Sequence, residues 1–117
     1  MAQANEDSNW RRAERFNAAA RVTVQDGKDV YKGILRDISL KGLSFRCEDK
    51  IATEAACKFE IVFSDGLSIK AKGLFMWAVP QPREFLYGVD FTSIGFFSGL
   101  RLKKWLLKRA RMFKGAR

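Results

Sequence analysis

Two short groups of residues carry side chains that are suited to binding chemistry. Arg11 and Arg15 lie four positions apart ahead of the first predicted strand, and Asp37, Ser39 and Gly42 form an Asp-x-Ser-x-x-Gly pattern at the end of the second. An arginine guanidinium forms bidentate, charge-assisted contacts with phosphate, and it contacts guanine O6 and N7 in the same way. Taken alone, an arginine pair at this spacing is usually a solvated helix face, and Asp-x-Ser-x-x-Gly is usually a turn. Their joint occurrence indicates a site for an anionic ligand.

The composition favours binding over catalysis. Lys and Arg number 22 against 13 Asp and Glu, a formal charge of +9 that favours anionic partners. Histidine is absent, which excludes His-based acid–base catalysis and His-ligated metals. Cys47 and Cys57 cannot form a zinc site alone, and a phosphate-cradling GxxxxGK[ST] loop is missing. We therefore expect no enzyme, no metal and no cofactor. With no secretion signal, both cysteines are expected to be reduced thiols in a cytoplasmic protein.

The elements that must position these residues are mainly short strands. Alternation of apolar and polar residues predicts six of them, at about residues 22–25, 30–38, 43–47, 58–63, 67–79 and 85–91. Asp26-Gly27 and Asp65-Gly66 are hairpin turns, and Gly42 is expected to supply positive φ in the turn after Asp37. The alternation slips around Gly73, where a bulge is expected. This pattern predicts a small six-stranded antiparallel β-barrel spanning about residues 20–94.

The remaining segments are a tail and a helix. Residues 1–9 are predicted to form a flexible N-terminal tail. Helical spacing of Leu102, Trp105, Leu106 and Phe113, with Lys and Arg between them, predicts a basic amphipathic helix over about residues 97–114. We expect its apolar stripe to close one end of the barrel. The alternative is an exposed basic face for anionic lipid, RNA or a partner protein.

The two patterns together resemble the signatures of the PilZ domain, RxxxR and [D/N]xSxxG. Asp37 lies 22 positions after Arg15, and the order and strand context agree with the family. The strand that contains Trp77, the run from Tyr87 to Phe91 and a trailing helix also lie where a single-domain PilZ protein would have them. The resemblance covers residues 10–117. It implies a PilZ-type barrel with a C-terminal helix that binds cyclic diguanylate (c-di-GMP).

The resemblance also assigns the ligand residues. Arg11 and Arg15 would grip phosphate and guanine, Asp37 and Ser39 would line a guanine, and Gly42 would let the chain turn and the ligand approach closely. A carboxylate accepts hydrogen bonds from guanine N1–H and its amino group, which suits Asp37. Weaker candidates for ligand contact are Trp10, Arg12, Arg46 and Trp77.

By this resemblance the chain is a bacterial second-messenger receptor. It would relay c-di-GMP to an effector in motility, exopolysaccharide or biofilm control as the N-terminal Arg segment becomes ordered on the ligand. The competing hypothesis is a small basic barrel that binds nucleic acid or an anionic membrane surface. Asp37 favours the receptor, because a carboxylate would repel a phosphate backbone. We thus expect no nucleic acid partner, and membrane contact that is at most peripheral, through the basic helix.

Overall fold

The alternating segments form the six strands of a closed antiparallel barrel. A computed structural model describes residues 19–115, with side chains to residue 110. The strands are β1 (Ala20–Asp26), β2 (Asp29–Ile38), β3 (Gly42–Cys47), β4 (Cys57–Phe63), β5 (Ser68–Pro80) and β6 (Phe85–Ile94), followed by helix α1 (Phe96–Gly115). Their order around the barrel is β1-β2-β3-β6-β5-β4. The predicted fold, a mainly β six-stranded antiparallel barrel with a C-terminal helix, is confirmed.

Alternation fills the interior of the barrel. In β4, Phe59, Ile61 and Phe63 are buried while the intervening side chains face outward. Four aromatic rings meet at the centre, with centroid separations of 5.3 to 6.3 Å; they belong to Phe45, Phe59, Phe75 and Tyr87. Aromatic pairs at these distances add to the stabilisation from apolar burial. The four rings therefore form the centre of the barrel core.

Three irregularities in strand pairing shape the outer surface. The register shifts between Leu35 and Asp37 in the β2–β3 pair. In the β5–β6 pair it shifts between Lys72 and Gly73 and again between Phe75 and Trp77. The expected bulge near Gly73 is confirmed, whereas the other two were not predicted. A bulge places two residues of one strand opposite one residue of its partner, and so changes which side chains share a face.

Helix α1 packs one face on the barrel. Leu102, Trp105 and Leu106 are buried, as predicted, while the side chain of Phe113 lies outside the described residues. The Trp105 ring lies 4.8 Å from that of Phe63, and its indole N–H donates to Asp65 Oδ2 at 3.2 Å. Within residues 19–115, no helix combines the length and apolar character that crossing a bilayer requires.

Candidate ligand-binding site

The Asp-x-Ser-x-x-Gly pattern forms the connection from β2 to β3. The Ser39 amide donates to the Gly42 carbonyl oxygen at 2.8 Å, and the Lys41 amide donates to Ser39 Oγ at 3.1 Å. The Phe91 amide of β6 donates to the Lys41 carbonyl oxygen at 2.8 Å, which ties the turn to the next strand of the barrel. Ser39 is buried, and its hydroxyl contacts groups within the turn. In this structure Ser39 holds the turn in shape.

Gly42 is needed for packing and not for a left-handed turn. It is the first residue of β3, and the positive-φ glycines among the described residues are Gly27 and Gly66. The expectation of positive φ at Gly42 is therefore wrong. Gly42 pairs with Asp90 of β6, and a Cβ at this position would strike the Val89 carbonyl oxygen. The absence of a side chain lets β3 and β6 approach each other.

A row of residues crosses four adjacent strands on the outer face, beside this turn. Strand register places Asp37 of β2 next to Ser44 of β3, Ser44 next to Gly88 of β6, and Gly88 next to Trp77 of β5. A Cβ on Gly88 would collide with the Trp77 indole, so the ring lies across the glycine. The glycine thus lets the indole lie flat against the sheet.

Polar contacts join this row to Arg36. Ser44 Oγ donates to Asp37 Oδ1 at 2.6 Å, and Arg36 Nε donates to Ser44 Oγ at 3.0 Å. Arg36 Nε also lies 3.5 Å from Asp37 Oδ2. The Arg36 guanidinium carbon is 6.0 Å from the centroid of the Trp77 ring, which is within cation–π range. We call Arg36, Asp37, Ser44 and Trp77 the Trp77 cluster.

The Trp77 cluster combines three kinds of binding group. The Asp37 carboxylate is an acceptor, the Arg36 guanidinium is a cation, and the indole supplies an aromatic face. The Asp37 side chain is 15% exposed and that of Arg36 is 43% exposed, so the guanidinium is the more solvent-accessible of the two. Together these groups could contact a planar molecule that carries hydrogen-bonding edges and negative charge.

The other predicted site residues divide into two sets. Arg46 occupies the next outward position of β3 after Ser44, and its Nε lies 3.8 Å from Glu84 Oε2. It borders the Trp77 cluster but pairs with Glu84. The remaining four lie outside the described residues: Trp10, Arg11, Arg12 and Arg15. Among the predicted residues the structure does describe, Asp37 and Trp77 are brought together, with Ser39 and Gly42 in the adjoining turn.

Sequence reasoning missed Arg36, Ser44 and the role of Gly88. Strict alternation would point Arg36 away from Asp37, but the bulge sets both opposite Ser44. Ser44 is fully buried although its strand neighbours Leu43 and Phe45 face the core, because Asp37 and Arg36 cover it. A hairpin register counted from the Ser39 turn would have placed Ser44 beside Asp37.

The two cysteines take no part in this site. Both are free thiols in buried positions, and burial raises the pKa of each. A raised pKa lowers the thiolate fraction and hence the reactivity. Cys47 Sγ lies 3.4 Å from the Lys32 carbonyl oxygen, on the core side of β3. Both cysteines are thus part of the buried core of the barrel.

Several solved structures share this fold. The chain is similar to the inhibitor of motility MotI/DgrA of Bacillus subtilis, with a TM-score of 0.71 and 13% identity over 84% of this chain and 50% of that one. It is similar to YcgR of Escherichia coli, solved in complex with c-di-GMP, with a TM-score of 0.74 and 11% identity over 90% of this chain and 48% of that one. The PilZ domain of CeSA from a cellulose-synthesizing bacterium matches with a TM-score of 0.57 and 14% identity, over 84% of this chain and 99% of that one.

The chain spans about half the length of MotI/DgrA and of YcgR, so the likeness concerns about half of each. Among curated proteins, no sequence matches this chain. The family model of the PilZ domain matches residues 9–107, which include both motifs, the whole barrel and the buried part of α1. The PilZ family comprises c-di-GMP receptors. The chain belongs to the PilZ domain family.

Proposed function

We propose that this protein is a receptor for c-di-GMP that binds the ligand over the Trp77 cluster. The observation that carries the proposal is the row in which a β2 bulge and Gly88 bring Asp37, Ser44 and Trp77 onto one outer face. In this assignment Asp37 accepts from a guanine edge, and the indole offers a face for stacking. Ser39 and Gly42 hold the turn that positions Asp37. Family membership supports the choice of ligand.

The N-terminal segment completes the proposed site. Arg11 and Arg15 would grip phosphate and guanine through bidentate contacts, with Trp10 and Arg12 beside them and Arg46 at the border. The doubly anionic ligand would offset repulsion among the clustered arginines and so order the segment. The ordered segment then presents a new surface to an effector in motility, exopolysaccharide or biofilm control.

The proposed receptor acts by binding and not by catalysis. Its binding groups are guanidinium, carboxylate and indole, and they carry out no bond-breaking step. A cytoplasmic location fits the two free cysteines, since reducing compartments keep thiols unpaired.

Calorimetric titration tests the proposal. We expect c-di-GMP to bind with micromolar or better affinity. Arg11→Ala and Arg15→Ala should each weaken it by roughly 5- to 150-fold, from about 1–3 kcal/mol per lost bidentate contact. Their melting temperatures should not change. Arg83→Ala is the matched control, because Arg83 is exposed in the β5–β6 loop. If both motif variants titrate like the wild type, the assignment is wrong.

Testing Asp37 requires a single and a double variant, because its carboxylate also accepts a hydrogen bond from the buried Ser44 hydroxyl. Asp37→Ala alone would leave the buried Ser44 hydroxyl without its acceptor, at a cost of about 1–3 kcal/mol in stability. The double variant Asp37→Ala/Ser44→Ala removes donor and acceptor together. We expect the double variant to regain most of the lost stability and still to bind c-di-GMP at least several-fold more weakly. Wild-type affinity in the double variant would remove Asp37 from the site.

Nucleic acid binding is the second candidate, because the formal charge is +9. Competition separates the two functions. Single-stranded DNA should not displace c-di-GMP from a receptor, and GTP and GMP should compete poorly. Binding to DNA that falls steeply with salt would instead indicate contacts with many phosphates.

A further inference from the structure

Helix α1 carries a second apolar face that is largely exposed. Phe96 and Phe97 are 74% and 70% exposed, and Leu107 and Leu100 are 50% and 43% exposed. With about 100° per residue, positions 96, 100 and 107 fall within about 40° of one another on the helix. This stripe lies opposite the buried Leu102. Apolar residues on an outward helix face are unusual in a helix that only closes a barrel.

Positive charge surrounds this outward stripe. The helix sequence Phe96–Gly115 contains seven Lys and Arg residues and no Asp or Glu. Lys103 and Lys104 are exposed and flank the stripe on its two sides, at about −20° and +80° relative to Phe96. Arg101 and Lys108 are exposed farther around the same face. The outward side of α1 is thus apolar along its middle and cationic along both margins.

A basic cleft continues from the start of the helix. Phe96 and Phe97 line a cleft of about 620 Å³ between the beginning of α1 and the outer faces of β1, β4 and β5. Lys58, Lys70 and Lys72 also line it, with Glu60 as the acid in the lining. In the barrel order β1 and β4 lie opposite β6 and β3. On β5, which the cleft shares with the Trp77 cluster, the cleft residues Lys70 and Lys72 lie at least five positions before Trp77.

We propose that the outward face of α1 and this cleft dock on an anionic lipid bilayer. Phenylalanine and leucine side chains would enter the boundary between headgroups and acyl chains, about 5–10 Å deep. The flanking lysines would contact lipid phosphates, and their long stems allow the charges to stay at headgroup level. Lysine is depleted from the centres of protein interfaces, whereas here Lys103 and Lys104 flank the apolar stripe on both sides. The charge pattern therefore favours a membrane over a protein partner.

Vesicle sedimentation tests this docking surface, with the full chain and no c-di-GMP. We expect binding to vesicles of phosphatidylcholine and phosphatidylglycerol in equal parts, and at least about tenfold weaker binding to phosphatidylcholine alone. The double variants Phe96→Ser/Phe97→Ser and Lys103→Glu/Lys104→Glu should each weaken binding to the anionic vesicles by about tenfold or more. High salt should weaken the binding of the wild type.

Matched controls lie in the β1–β2 hairpin, where Val30 is 55% exposed and Lys28 is exposed. Val30→Ser and Lys28→Glu should bind vesicles like the wild type, and all variants should keep the wild-type circular dichroism spectrum. Phe96→Ser/Phe97→Ser should still bind c-di-GMP normally, which separates this proposal from the receptor function. The docking proposal would be overturned if the wild type did not bind anionic vesicles, or if the helix variants bound them as well as the wild type does. Crosslinking from position 97 to a protein, without vesicle binding, would assign the face to a protein partner and would also overturn it.

Discussion

Replacing Gly42 with alanine tests whether this motif glycine serves packing. The new Cβ would overlap the Val89 carbonyl oxygen and would lie 3.1 Å from the Val89 carbonyl carbon and 3.2 Å from Asp90 Cα. All three neighbours are backbone atoms of β6, so no side chain can rotate away. Overpacking typically costs about 1–3 kcal/mol, and a backbone obstacle places this substitution near the upper end, at about 3 kcal/mol. The melting temperature should fall by roughly 12–24 °C.

Urea denaturation measures this cost, with Gly95→Ala as the matched control. A Cβ at Gly95 meets open space, so the control should stay within about 0.5 kcal/mol of the wild type. The midpoint for Gly42→Ala should shift to lower urea with an unchanged slope. A wild-type midpoint together with lost c-di-GMP binding would refute the packing argument and would assign Gly42 to ligand approach.

Trp105→Ala should lower the free energy of unfolding by about 3–5 kcal/mol in urea denaturation, since the buried ring packs on Phe63 and its indole N–H donates to Asp65. An unchanged urea midpoint would mean that α1 is not part of the core. Burial raises the pKa of the Cys47 and Cys57 thiols, so their contribution to stability is complete below the ordinary thiol pKa. This contribution should be lost as the pH rises through the raised pKa values of the two thiols in the folded state. Urea midpoints should therefore fall less across the alkaline range in a Cys47→Ala/Cys57→Ala variant than in the wild type. Amide exchange in the segment before β1 should slow when c-di-GMP binds, and equal exchange with and without ligand would end the ordering mechanism.

Strand periodicity predicted the barrel because burial in a closed sheet follows residue type at every second position. In β4 the large buried residues Phe59, Ile61 and Phe63 alternate with the outward Lys58, Glu60 and Val62, and the Asp65-Gly66 pair marks the turn that follows. The bulge at Leu35–Asp37 escaped prediction because it depends on pairing with β3, which single-strand alternation does not contain. That bulge is what brings Arg36 into the candidate site.

The sequence was less informative where two faces of one element are both apolar. Leu102 and Leu107 have the same side chain, yet one is fully buried and the other is half exposed. Only the direction in which α1 docks decides between them. For the same reason, Trp77 could be predicted as a candidate but not placed: its position over Gly88 depends on the β5–β6 register.

A chemical-shift map of c-di-GMP binding tests the receptor proposal most directly. Amide and indole resonances are recorded during titration with the ligand and compared around the barrel. The Trp77 indole N–H and the amides of residues 36–44 and Gly88 should move most, together with those of Arg11 and Arg15. The amide resonances of the residues that line the cleft at Phe96 and Phe97 should not shift. Shifts confined to that cleft, or no shifts at saturating ligand, would contradict the account.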